Sequence, residues 1–270
     1  MVEIMKKSFT DKREWALILG GSSGLGLASA KKLASQGMNI CIVHRDRKSD
    51  MPKFSQEVIS LTDFGIEVMT FNADATRSEK RNVILEQISK IFHTKKGTIK
   101  TLIHSIARGN LKPMQHDQTA VLSNDDFKVT IDAMAISLYD WVREIFEAKL
   151  FSEDARVISF TSEGNVRAWK NYAAVSAAKV ALEAISRSIA LEYAPYGIKS
   201  NCIQAGVTDT KSFRMIPNHE EIREHTLKRN PYRRLTKPED VANVVYLLCR
   251  EEASWINGAI IPVDGGERIV

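Results

Sequence analysis

Residues 15–26 read WALILGGSSGLG: an apolar run, Trp15–Leu19, passes without a spacer into Gly20-Gly21-Ser22-Ser23-Gly24-Leu25-Gly26 and on into an amphipathic stretch, Leu25–Gln36. A strand that turns this tightly into a helix lets bare backbone N–H groups approach a pyrophosphate, and the helix N-terminus adds partial positive charge. The glycines at 20, 24 and 26 depart from the general G-x-G-x-x-G spacing, so a plain structural turn stays open as the bland reading. The same residues also satisfy G-x-S-x-G, the elbow that presents a nucleophilic serine, here Ser22. Against that, the turn leaves the very first strand, and no Asp-then-His pair follows in the expected context.

Outward from this turn, short apolar runs alternate with longer amphipathic stretches, the pattern of repeated strand–helix units. The expected strands are Trp15–Leu19, Asn39–Val43, Glu67–Asn72, Thr101–Ser105, Arg156–Phe160, Lys199–Gln204 and Ala259–Val263. The expected helices are Leu25–Gln36, Lys53–Phe64, Ser78–Phe92, Asp125–Lys149, Tyr172–Tyr193 and Pro238–Cys249. They predict a doubly wound, Rossmann-like α/β fold with a parallel seven-stranded sheet, in a single domain over residues 1–270. Two irregular stretches, Arg108–Asn124 and Val207–Lys237, leave the fourth and sixth strands, where loops border the ligand crevice of such sheets. The second is expected to cover a substrate, and it carries Lys211, Arg214, Arg223, Lys228, Arg229, Arg233 and Arg234, for which a solvated charged helix is the plain alternative.

With 44% hydrophobic and 26% charged side chains, the chain of 270 residues has ordinary globular composition, which excludes disordered, collagen-like and disulfide-stapled classes. The longest apolar runs, such as Ile40–Val43 and Ile99–Ile103, fall far short of the roughly 20 residues that cross a bilayer, so no membrane span is expected. The first residues, MVEIMKKSFTDKR, lack the apolar core and cleavage site of a secretory signal, and a cytoplasmic protein is the expectation. Cys41, Cys202 and Cys249 lie inside apolar runs and read as core residues; with no C-x-x-C or H-E-x-x-H, no metal site is expected. A net charge of +5 suits an anionic partner, but the basic residues are dispersed without an aromatic stacking array, which argues against nucleic acid.

The second strand exits through His44-Arg45-Asp46-Arg47-Lys48, where such folds meet the adenosine ribose. A carboxylate there binds the 2′-hydroxyl of NADH and cations accommodate the 2′-phosphate of NADPH, so Arg45 and Arg47 favour NADPH while Asp46 keeps NADH open. Asp74, closing the third strand, is a candidate acceptor for the adenine amino group or simply a helix cap.

The glycine turn, Asp74, Ser162…Tyr172…Lys179, Ala205-Gly206…Thr210 and Val263-Asp264-Gly265-Gly266 together resemble the short-chain dehydrogenase/reductase family over nearly the full length. Most members carry Tyr-x-x-x-Lys, yet none of the six tyrosines here has a lysine four positions on; Tyr172 has one seven on, at Lys179. On a helix that spacing is nearly two turns, placing both side chains on one face with Cα atoms roughly 10 Å apart instead of about 6 Å. This Tyr-x6-Lys pattern after Asn171, His104-Ser105-Ile106-Ala107 on strand four, and Ala205-Gly206 in place of Pro-Gly resemble the enoyl-[acyl-carrier-protein] reductases. Ser162 stands where the best-known of those enzymes have a second tyrosine; with the basic second-strand exit, the combination looks most like the NADPH-dependent FabL type. Met134 occupies the place of a helix asparagine that serves the proton relay in common members, and His104 reads as a core histidine.

The spacing has a chemical reading. In a ketone, hydride and proton go to adjacent atoms; in an α,β-unsaturated thioester, hydride goes to the β-carbon and charge develops on the carbonyl oxygen two carbons away. A phenol moved by about one turn could meet that enolate oxygen. The resemblance implies that Tyr172 hydrogen-bonds or protonates this oxygen, that Lys179 holds the nicotinamide ribose and lowers the tyrosine pKa, and that Ser162 lines the site beside the nicotinamide as a second donor to the carbonyl. It further implies Gly20, Ser22, Ser23, Gly24, Leu25 and Gly26 around the pyrophosphate, Ser105, Ile106 and Ala107 by the nicotinamide-side ribose, and Gly206, Thr208 and Thr210 at the carboxamide end. It implies NADPH-dependent reduction of trans-2-enoyl thioesters in fatty-acid synthesis, an acyl carrier protein partner docking on Lys211–Arg234, and a homotetramer built through the long helices. An NADPH-dependent 3-ketoacyl or other carbonyl reductase, and a catalytically silent NADP-binding regulatory protein, remain as alternatives.

Overall fold

Along the first strand, Trp15, Leu17 and Leu19 pack into one core layer while Ala16 and Ile18 pack into another, because successive side chains of a strand point to opposite faces. A strand buried on both faces belongs to a parallel sheet covered by helices on each side. The computed structural model, which describes residues 7–11 and 13–270, has that architecture. Its strands are β1 (Glu14–Leu19), β2 (Asn39–His44), β3 (Val68–Asn72), β4 (Thr98–His104), β5 (Phe151–Ser162), β6 (Ile198–Ala205) and β7 (Ile260–Val263), all parallel in the order β3-β2-β1-β4-β5-β6-β7. The doubly wound single domain expected from the periodicity is therefore present. Residues 1–6 and 12 of the stretch read for a secretory signal lie outside the described residues.

One face is covered by α1 (Gly24–Ser35), α2 (Met51–Thr62) and α8 (Pro238–Cys249), whose Leu33, Phe54 and Val245 meet Ile18, Ile42 and Ile103. The other carries α3 (Ser78–Lys95), α5 (Ser137–Glu147) and α6 (Ala173–Glu192), with Ile88, Trp141 and Leu182 against Leu17, Leu102 and Val157. The three cysteines are free and buried, as their apolar neighbours suggested. No helix among the described residues is long and apolar enough to cross a membrane.

Three departures from the expected elements bear on the site. The helix expected over Asp125–Lys149 is broken: α4 (Asn124–Ile131) passes through a π-helical turn, Asp132–Ile136, into α5. Strand β5 runs on to Ser162, two residues past its expected end, which brings that serine to the carboxyl edge of the sheet. The stretch expected to be irregular over Val207–Lys237 contains α7 (His219–Arg229), a polar helix with little apolar periodicity to reveal it. Its signal lies in charge: Glu220 and Glu221 in the first turn and Lys228 and Arg229 in the last complement the helix dipole.

Candidate active site

At the carboxyl edge of the sheet a cavity of about 480 Å³ opens between the exits of β1, β2, β4, β5 and β6. The glycine turn forms one wall. Gly20 and Gly24 have φ of +82° and +55°, and a Cβ on Gly20 would stand 2.5 Å from the Ser105 carbonyl oxygen, so the turn tolerates no side chain there. Ser23 is the N-cap of α1 but makes no side-chain cap bond, which leaves the first-turn N–H groups available to an anion. Gly20, Ser22, Ser23, Gly24 and Leu25 line the cavity. Gly26 does not: its Cα faces the Gly20 carbonyl, where a Cβ would come within 2.3 Å, so it serves close packing of helix on turn and not the pyrophosphate wall.

Ser162, Tyr172 and Lys179 line the same cavity. The Ser162 Oγ lies 3.3 Å from the Tyr172 hydroxyl. The tyrosine ring packs over the bare Cα of Gly164, where a Cβ would approach ring carbon Cε1 to 2.5 Å, and the Ser176 hydroxyl pins that turn by donating to the Gly164 carbonyl at 2.6 Å. Gly164 escaped the sequence reading because it belongs to no motif. Tyr172 lies just outside the helix expected to begin with it, so the two-turn spacing on one helical face does not hold at its first residue. It is the N-cap of α6, its carbonyl accepting the Ser176 N–H, and Asn171 before it takes φ of +63°.

Lys179, buried on α6, donates to the Phe160 carbonyl at 2.6 Å. Burial lowers its pKa to about 8, with the nearby Cys202 and Glu183 opposing the fall. Tyr172 moves upward because burial outweighs the Ser162 hydrogen bond, so the lowering expected from Lys179 is not what this arrangement produces.

Ser105, Ile106, Ala107, Gly206, Thr208 and Thr210 also line the cavity. His104 does not: it is buried, its Nε2 lies 2.8 Å from Ser137 Oγ, and that hydroxyl donates to the Ala133 carbonyl, so the ring nitrogen must be the donor. Burial lowers its pKa to about 3, with Lys179 adding to the fall, and it is a neutral core residue. Met134, on the π turn, lines the cavity with a thioether that has no proton to pass on.

At the adenosine end Arg45, Asp46 and Asp74 line the cavity, whereas Arg47 does not. Arg47 sits three residues past the end of β2, its carbonyl accepting the Asp50 N–H. The sequence reading missed Arg108 on this wall and, at the far end, an apolar group comprising Leu111, Trp169, Val175, Phe213, Ile216 and Ile222. The basic residues of 207–237 are largely spent within the fold. Lys211 pairs with Asp50, Arg214 with Asp209, Arg234 with Asp240, and Arg229 with both Glu163 and Glu267.

A parallel sheet in this order, a glycine turn open toward its carboxyl edge and a Ser–Tyr–Lys group facing that turn define an NAD(P)H-dependent oxidoreductase of the short-chain dehydrogenase/reductase type. Residues 20–267 match the family described as Enoyl-(Acyl carrier protein) reductase, and the chain belongs to that family. It is 27% identical to 1-cyclohexenylcarbonyl-CoA reductase of Streptomyces collinus over 96% of this chain and 89% of that protein. It is also 27% identical to the 3-oxoacyl-[acyl-carrier-protein] reductase MabA of Mycobacterium bovis, over 93% and 91% respectively. Among solved structures it is similar to the enoyl-[acyl-carrier-protein] reductase (NADH) of Aquifex aeolicus, with a TM-score of 0.78 and 25% identity over 95% of this chain and 97% of that one.

Proposed function

We propose that the protein reduces the C2=C3 double bond of trans-2-enoyl thioesters with NADPH, taking acyl carrier protein-linked substrates. The observation that carries this reading is the position of Tyr172: seven residues before Lys179, off the helix, beside Ser162 in a cavity that also carries an apolar group. Residues of the cavity fit the nucleotide. The glycine turn offers side-chain-free backbone and an uncapped helix N-terminus to a pyrophosphate, and Arg45 offers charge to a 2′-phosphate. In this reading Gly20 and Ser22–Leu25 hold the pyrophosphate, Ser105–Ala107 and Lys179 the nicotinamide-side ribose, and Gly206, Thr208 and Thr210 the carboxamide end. The bound nicotinamide supplies the hydride that goes to the β-carbon.

Tyr172 then holds the thioester carbonyl oxygen as charge develops there, and its raised pKa keeps the phenol protonated at neutral pH as the donor. Ser162 serves as second donor and orients the phenol. Phe213, Ile216 and Ile222 of the covering segment exclude water from the acyl chain. Arg223, Lys228 and Arg233, exposed and with no carboxylate within ion-pair distance among the described residues, are the cations this segment offers an acidic carrier. Exposed Val129, Ile136 and Tyr139, on α4, the π turn and α5, supply an apolar surface for a homotetramer.

One observation favours a second reading. A serine 3.3 Å from the tyrosine hydroxyl also suits a 3-ketoacyl or other carbonyl reductase, which needs both donors on one oxygen. NADPH oxidation with crotonyl and acetoacetyl thioesters separates the two. Turnover of the enoyl thioester is expected; turnover confined to the ketoacyl thioester transfers the assignment to carbonyl reduction.

A further inference from the structure

The carboxylates at the adenosine end of the cavity already meet protein groups. Asp74 Oδ1 accepts from the Thr76 N–H at 3.1 Å and the Thr76 hydroxyl at 2.7 Å, which fixes its rotation. Its Oδ2 accepts from Arg45 at 3.2 Å and from Arg108 at 2.9 Å. Burial alone would raise this acid, but the Thr76 bonds and both guanidiniums outweigh it and hold Asp74 ionised below its ordinary range. Asp46, the other carboxylate here, lies 2.8 Å from Nδ1 of His44, whose buried ring packs on Phe54. Both oxygens of Asp74 thus already accept two protein donors each, whereas Asp46 is engaged through one oxygen.

The cations remain in excess. Arg45 comes from the exit of β2 and Arg108 from the exit of β4, and their charge exceeds that of the one carboxylate they share. Each uses a single nitrogen on Asp74, and both side chains are about half exposed, which leaves further N–H donors on each guanidinium for a ligand. Both line the cavity and an adjoining groove that also carries Arg77, Lys80 and Lys128 against one further acid, Asp132, so the positive charge stays in excess. We propose that Arg108 is a specificity-determining residue for NADPH, sharing the 2′-phosphate with Arg45 across Asp74. The proposal rests on the reading of this cavity as a nucleotide site. A phosphate monoester carries between about one and a half and two negative charges at neutral pH and matches two planar guanidiniums, whereas a 2′-hydroxyl gains nothing from the second.

Calorimetry on the full chain with 2′,5′-ADP and with 5′-AMP, beside fluorescence titrations with NADPH and NADH, tests this in the wild type, R108Q and R108K. R108Q is expected to weaken 2′,5′-ADP and NADPH by about tenfold or more, with 5′-AMP and NADH changed by less than about threefold. R108K, keeping the charge but losing the fork, should fall between. Equal losses on both nucleotides would make Arg108 an adenine or loop-packing residue and overturn the proposal, as would no loss on either. Wild-type protein that binds neither nucleotide overturns the nucleotide reading itself; wild-type binding of NADPH with unaltered discrimination in R108Q overturns only the role of Arg108.

Discussion

The chemistry of this site turns on two buried groups whose titrations move in opposite directions. Burial raises Tyr172 and brings Lys179 down to about 8, so at neutral pH the phenol is a donor and the ammonium stands near the edge of its charged range. Nucleotide affinity that depends on charged Lys179 should fall as pH rises through about 8, an alkaline limb visible in Kd for NADPH; a flat profile to well above that value would remove Lys179 from binding. Stability has the opposite sign. The folded pKa lies below the ordinary 10.5, so between about 8 and 10.5 the unfolded chain binds more protons and folding becomes more favourable as pH rises. Tyr172→Phe removes one hydroxyl and no packing; kcat on an enoyl thioester should drop about 100-fold with NADPH affinity nearly unchanged, read from steady-state kinetics and nucleotide titration.

At the scale of elements, close approaches of backbone to backbone set the walls of the cavity. Gly26 lies within α1, where alanine ordinarily stabilises a helix by up to about 1 kcal/mol. Here a Cβ would sit 2.3 Å from the Gly20 carbonyl, so Gly26→Ala should instead cost roughly 1–3 kcal/mol as overpacking forces helix and turn apart. A lowered thermal midpoint with weakened nucleotide binding is the expected result; a raised midpoint would show that the turn yields without strain. The π turn between α4 and α5 acts at the same scale. One extra residue in the helical ladder redirects the chain so that Met134 reaches the cavity, a device that helix periodicity alone does not disclose.

Across the whole molecule, Arg229 ties the segment 207–237 to the end of β5 and to the chain beyond β7. From α7 it pairs with Glu163, the residue after Ser162, and with Glu267 beyond the last strand, with all three side chains largely buried. Removing one member strands the others in a dry site, so Arg229→Met should destabilise the fold by roughly 3 kcal/mol and raise KM for the thioester, measured by denaturant unfolding and kinetics. Unchanged KM would detach the clamp from substrate covering. Much of this architecture was legible in the chain itself. Continuous apolar runs such as Trp15–Leu19, set between longer amphipathic stretches, declare the strands and helices of a parallel sheet because burial on two faces leaves no polar alternation, and the glycine turn declares a close backbone approach because only glycine permits it. What only tertiary structure decided lies where distant segments meet. Arg108 beside Arg45, Gly164 beneath Tyr172 and the clamp on Arg229 join residues that share no local pattern, since a contact across the carboxyl edge of a sheet is made by folding and leaves no period in the sequence.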